Sequence, residues 1–192
     1  MPALQRRWCQ RWYVSLSETE YAVLRQTIAT RGTTRAILLP VTIIGWGAIS
    51  LAILLVSPHP VASLVGLTVL AGGFEAIHGL HVGVERIGRY LQVYYEADRD
   101  TPKWETTAMT VGPSLPGGGT DPLFTAIVGA ATLVNLAVGI LNRPTPIELI
   151  LLALLHLGFL IRIVRSRIAA ARQRAVELES FRALRVNQHD HH

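Results

Sequence analysis

The sequence predicts an all-α integral membrane protein: four transmembrane helices forming two antiparallel hairpins, with cytoplasmic helical extensions of spans 2 and 4 and an N-terminal interfacial amphipathic helix. Three observations predict it. Half of the 192 residues are hydrophobic and only 16% are charged, against about 25% in soluble domains. Four apolar stretches approach or reach the roughly 20 residues that cross a bilayer as a helix. The basic residues, 17 arginines and one lysine, gather at the ends of those stretches.

The net charge of +5, carried beside apolar spans, points to anionic lipid headgroups and not to nucleic acid, which would call for a soluble basic face interleaved with aromatics. A lone cysteine, Cys9, leaves no internal disulfide and no cysteine-based zinc site. Residues 1–36 hold six arginines and no early apolar core, so they do not read as a secretory signal.

In chain order, residues 1–36 form a cytoplasmic basic and aromatic segment. Arg6, Arg7, Trp8, Arg11 and Trp12 have the composition of a lipid-headgroup contact. Ser17 and Glu20 stand at capping-box spacing, which predicts a helix from about 18 to 31 with Tyr21, Leu24 and Ile28 as its apolar stripe. Residues 37–164 make the bundle. Span 1 covers 37–56 without a charge, and SPHP (57–60) turns the chain. Span 2, 61–84, reaches full length only if its helix continues through a Glu/His-rich stretch; with no Gly/Pro stop before Pro102, it extends through YLQVYYEA. A polar loop over 99–122 lacks the GK[ST] of a phosphate-cradling loop. Asp121 and Pro122 then read as the N-cap and first turn of span 3, 123–141. NRPTP leads into span 4, 147–164. In the cytoplasmic tail, 165–192, Val164, Ile168, Ala171, Ala175 and Leu178 follow a 4-3-4-3 spacing that resembles a coiled-coil seam, and HDHH (189–192) reads as a disordered, loosely metal-binding end.

Arginine placement orients the spans. Six basic residues precede span 1, four lie between spans 2 and 3, and seven run from Arg162 onward, whereas SPHP and NRPTP hold only Arg143. Both termini are therefore expected in the cytoplasm, with the protein in the plasma (inner) membrane.

The candidate chemistry lies in FEAIHGLHVGVERIGRY. At about 100° per residue, Glu75, His78, His81, Glu85, Arg86 and Arg89 share one helix sector about 140° wide. Lipid does not solvate such a face, so it turns inward or toward a partner. Gly79 and Gly83 form a GxxxG beside it, suited to close helix contact. Counting about 1.5 Å per residue from Val61 puts Glu75 about 21 Å and His78 about 25 Å into a hydrocarbon layer about 30 Å thick. Glu85, Arg86 and Arg89 then fall at the cytoplasmic boundary as a solvated or headgroup-facing helix end. His156 lies about 14 Å into span 4.

Several chemistries fit these residue types. Glu75 pairs with a cation to fix helix register, and the histidines make interhelical hydrogen bonds. Haem ligation would join His156 to His78 or His81 across facing helices. A metal site would draw on Glu75, His78, His81 and His156; Glu75-x-x-His78 has the spacing of di-iron bundles, yet the second such pair and the further glutamates are missing. An ion or proton path would run through Glu75, His78 and His81. Hydrolysis finds neither HExxH nor GxSxG. The composition favours a non-enzymatic membrane protein, a homo-oligomer or a subunit of a larger membrane complex in the lipid bilayer. No cofactor is assigned, with haem or a transition metal as the alternative, and no nucleic-acid partner is expected.

Overall fold

The computed structural model describes the backbone of residues 3–56, 58–97, 104–111 and 122–190, and side chains within 18–56, 58–97, 104–108 and 123–187. Among these residues the chain is helical, without strands. α1 spans Ala3–Val56, and a 3₁₀ turn at Pro60–Ala62 leads into α2, Ser63–Leu91, which continues as a π-helical turn, Gln92–Glu96. α3 is Trp104–Val111, α4 Pro122–Leu141 and α5 Pro146–Asp190. Four of these helices, within Glu18–Val56, Pro60–Glu96, Leu123–Leu141 and Pro146–Asn187, are long and apolar enough to cross a membrane.

Two elements differ from the sequence reading. The expected helix from 18 to 31 and span 1 are one rod: the 54-residue α1 passes through RGTTRA without a break. Gly32 weakens a helix by only about 1 kcal/mol. Thr33 and Thr34 return their hydroxyls to the Ala29 and Thr30 carbonyls, the intrahelical way to satisfy a threonine. The second difference is α3, inside the stretch expected to be loop. Its first turn is capped from outside: Glu96 accepts the amides of Glu105 and Thr106 and the Thr106 hydroxyl, each at 2.8 Å. A carboxylate at a helix N-terminus satisfies orphan donors and the dipole together.

Turn chemistry explains the short connections. His59 Nδ1 accepts the Val61 amide at 3.3 Å, and Ser63 Oγ donates to the Pro60 carbonyl at 2.8 Å. After α4, Arg143 adopts φ 54°, closing the helix end before Pro144. α5 then opens with a reciprocal capping box: Thr145 donates to Glu148 Oε2 from its amide and hydroxyl, and the Glu148 amide reaches back to Thr145 Oγ1.

Contact order shows how the helices run. Trp46, Thr42, Arg35 and Glu20 of α1 lie beside Gly66, Gly73, His81 and Tyr90 of α2, in opposite chain order. Phe159, Arg162, Arg174 and Phe181 of α5 meet Phe74, Glu75, Glu85 and Tyr90 of α2 in the same order. α2 is the most enclosed helix and α1 the least. The core joins Leu67, Leu70 and Phe74 of α2 to Val128 and Ala131 of α4 and Phe159 and Ile163 of α5. Close packing around α2 needs glycine at two points: a Cβ on Gly66 would meet Asn135 of α4, and one on Gly73 would overlap the Thr42 side chain of α1.

Candidate functional site

The polar stripe of α2 is largely occupied by α5. Glu75 accepts from Arg162 at 2.8 Å, and Arg162 also contacts the Ser166 hydroxyl. Glu85 accepts from Arg174 at 2.7 Å and from Arg89 at 3.3 Å. Glu177 gathers Arg86 at 2.9 Å, Arg89 at 2.7 Å and Gln173 at 2.6 Å. The result is a ladder of ion pairs between two helices running the same way.

Arg89 corrects the expectation of a solvated helix end. Its side chain is 1% exposed and lies between Glu85 and Glu177. Such a burial is tolerable because two carboxylates neutralise the guanidinium and take its N–H groups. Glu177 lies thirteen residues, about 20 Å of helix, past Val164. Burial alone would raise its carboxyl; hydrogen bonds from Arg86, Gln173 and Arg89 outweigh that and hold it below the ordinary carboxylate range.

The histidines go to three different places. His81 Nδ1 accepts from Arg35 of α1 at 2.8 Å, and its Nε2 lies 3.5 Å from Glu85. His78 stacks on Phe74, with ring centroids 5.7 Å apart and planes 4° apart. His156 is fully buried on α5. Its Nε2 is 2.9 Å from Asn135 Nδ2 and its Nδ1 2.7 Å from the Leu152 carbonyl. An amide N–H₂ only donates, so His156 is the neutral tautomer with Nδ1–H on the carbonyl. His156 therefore meets neither Glu75 nor another histidine.

Asn135 is the site residue that periodicity missed. Trp46 of α1 donates to its Oδ1 at 3.0 Å; its Nδ2 donates to the Ser63 carbonyl of α2 at 2.9 Å and to His156 of α5. One α4 side chain thus ties all four long helices together. A polar residue inside an otherwise clean apolar span was the available signal, but its partners lie 21, 72 and 89 residues away.

At the arginine-rich end, Tyr90 and Tyr95 donate to Glu20 of α1 at 3.0 and 2.5 Å. Arg25 pairs with Glu105 at 2.5 Å. Burial raises the Glu105 carboxyl, Glu96 adds to the rise and Arg25 opposes it. Arg185 donates to the Val93 carbonyl, 2.6 Å away on the π-helical turn, where the intrahelical ladder is altered.

Of the GxxxG pair, Gly79 has open space where a Cβ would stand, and Gly83 faces the Arg31 guanidinium. The side chains of Arg6, Arg7, Trp8, Arg11, Trp12 and HDHH lie outside the described residues, although the α5 backbone continues as helix to Asp190. Among the described residues no three His, Cys, Asp or Glu side chains converge on a metal-sized point. Comparison with protein-family models, with curated proteins and with solved structures finds no match.

Proposed function

We propose that the protein is a non-enzymatic, four-span assembly protein of the plasma (inner) membrane, with spans 1–2 and 3–4 as hairpins and both termini in the cytoplasm, and that it self-associates through α5. The excess of arginine at one end of the bundle supports the orientation. One observation carries the assembly reading. The stripe on α2 is satisfied within the chain, while the heptad-spaced stripe of α5 is left uncovered. Val164 and Ile168 are 55% and 50% exposed. The same 3-4 spacing runs back through Ile161, Leu157, Leu154 and Ile150 to Ile147, all exposed, and forward to exposed Ala171 and Ala175 and half-buried Leu178. Lipid accounts for the earlier half. The later half continues about 20 Å past the span, where water would face an apolar seam with the 3.5-residue period of helix pairs. An identical helix supplies the matching seam. In a parallel pair, Arg174 then faces Glu179 of the second copy across the e/g positions.

Disulfide crosslinking in native membranes tests this. In a Cys9→Ser background, Val164→Cys and Ile168→Cys should form dimers on oxidation, whereas Ala169→Cys, on another face, should not. Equal crosslinking at all three positions, or none, would sink the proposal.

An ion path is the competing reading. Glu75 and Glu85 are held by arginines, which opposes it. Ion flux in liposomes that vanishes with Glu75→Gln while crosslinking persists would favour it instead.

A further inference from the structure

A cavity of about 190 Å³ lies where α1, α2, α4 and α5 meet at the arginine-rich end. Its polar lining is Arg35, His78, His81, Thr125, Ser166 and Arg167, and among the described residues no carboxylate lines it. Its apolar wall includes Leu39, Phe74, Ile77 and Phe124. Exposed Gly32, Ala36 and Arg167 open it to the surface.

The charges in this cavity differ from those of the ladder beside it. Arg86, Arg89, Arg162 and Arg174 each hold a glutamate. Arg35 holds only the neutral acceptor His81 Nδ1, and no carboxylate among the described residues neutralises it. The nearby Glu85 stands 3.5 Å from the other nitrogen of His81 and is already engaged by Arg89 and Arg174. At Arg35 the cavity therefore presents positive charge that no described carboxylate compensates, beside an aromatic and aliphatic wall.

Depth narrows the ligand. Arg35 precedes span 1, Arg167 follows span 4, Phe124 and Thr125 begin span 3, and His78 lies about 25 Å into span 2. All four estimates converge on one boundary of a hydrocarbon layer about 30 Å thick. The volume is below the roughly 300–1,000 Å³ of pockets that engulf a drug-sized ligand. It suits a headgroup whose tails remain in the bilayer.

We propose that this cavity seats the phosphate of an anionic phospholipid from the cytoplasmic leaflet, with Arg35 and Arg167 contacting the phosphate and Phe74, Ile77 and Phe124 the first acyl carbons. Basic pockets between transmembrane helices on that side recognise such headgroups by charge and by hydrogen bonds to phosphate oxygens. The inference rests on the membrane placement proposed above and is independent of self-association.

Native mass spectrometry of the full-length protein, released from detergent with added phosphatidylglycerol or phosphatidylcholine, tests it. One phosphatidylglycerol per chain should be retained in preference to phosphatidylcholine, with retention falling about tenfold in Arg35→Gln. Arg143→Gln, in the opposite turn, should retain it as the parent does. Ala36→Trp, which fills the mouth without removing charge, should also abolish retention, so the test does not depend on the arginine variants folding. Equal retention of the two lipids, or retention that survives both Arg35→Gln and Ala36→Trp, overturns the proposal. Displacement by an equal concentration of inorganic phosphate would assign the site to a free anion and overturn the lipid assignment. Release of the protein from membranes by alkaline carbonate would instead overturn the membrane placement itself.

Discussion

Arg89 and Asn135 are the residues whose partners should be missed most. Glu177→Ala leaves the buried Arg89 guanidinium with only Glu85, and the loss is expected to approach the 3–5 kcal/mol of a broken buried ion pair. Replacing both residues, Arg89→Leu with Glu177→Leu, should recover most of that loss, because no buried charge is left unpaired: Glu85 keeps Arg174, and Arg86 is exposed to solvent. Thermal denaturation of the two variants in one detergent checks the pair; a double variant no better than the single one would refute the account. Asn135→Leu orphans Trp46 Nε1 and His156 Nε2 and removes the bond to the Ser63 carbonyl. Interhelical hydrogen bonds in membranes contribute about 0.6–2 kcal/mol each, so about 2–4 kcal/mol should be lost, with a shift in Trp46 fluorescence.

At the scale of elements, α2 and α5 run together well beyond the apolar segments, joined by Glu85–Arg174, Glu177–Arg86/Arg89 and Tyr90–Phe181. The Glu177 carboxyl is depressed in the fold, so its stabilising effect is present above the ordinary carboxylate range and is lost as pH falls through the depressed value. Acidification through that range should loosen the helix extensions while the apolar core holds. Hydrogen exchange should then rise in residues 85–96 and 173–187 before it rises in 123–141. Simultaneous loss of all three regions would count against this. α1 and α2 depend on steric fit instead. Gly73→Val places a branched side chain where Thr42 already stands, and overpacking of this kind costs about 1–3 kcal/mol. Arg35–His81 contact should weaken with it, read as a changed His81 ring resonance.

For the whole molecule, the consequence is a division of labour among surfaces. Polar groups of α2 are consumed internally, lipid and a second α5 are the proposed neighbours of the apolar exterior, and positive charge without a carboxylate remains around Arg35. Purified protein should accordingly carry no stoichiometric iron, zinc or manganese by elemental analysis. About one iron per chain would overturn that and return the histidines to haem ligation, despite His156 meeting Asn135 and Leu152.

Length, apolarity and breakers were sufficient to place the four long helices. SPHP and NRPTP interrupt the chain wherever they fold, because proline removes a donor and fixes φ. The sector holding Glu75, His78, His81, Glu85, Arg86 and Arg89 was equally legible, since helical angle depends only on local geometry. The Thr145-x-x-Glu148 cap, which the sequence reading passed over, is a local pattern of the same kind. Tertiary structure alone decided what each of those residues meets. Arg89 became buried because Glu177, 88 positions along, arrives opposite it. Asn135 became the tie among four helices because Trp46, Ser63 and His156 converge there. α3 formed where a loop was expected because Glu96 caps it. Periodicity records which face a side chain occupies, whereas its charge, burial and chemistry depend on a partner that local sequence does not encode.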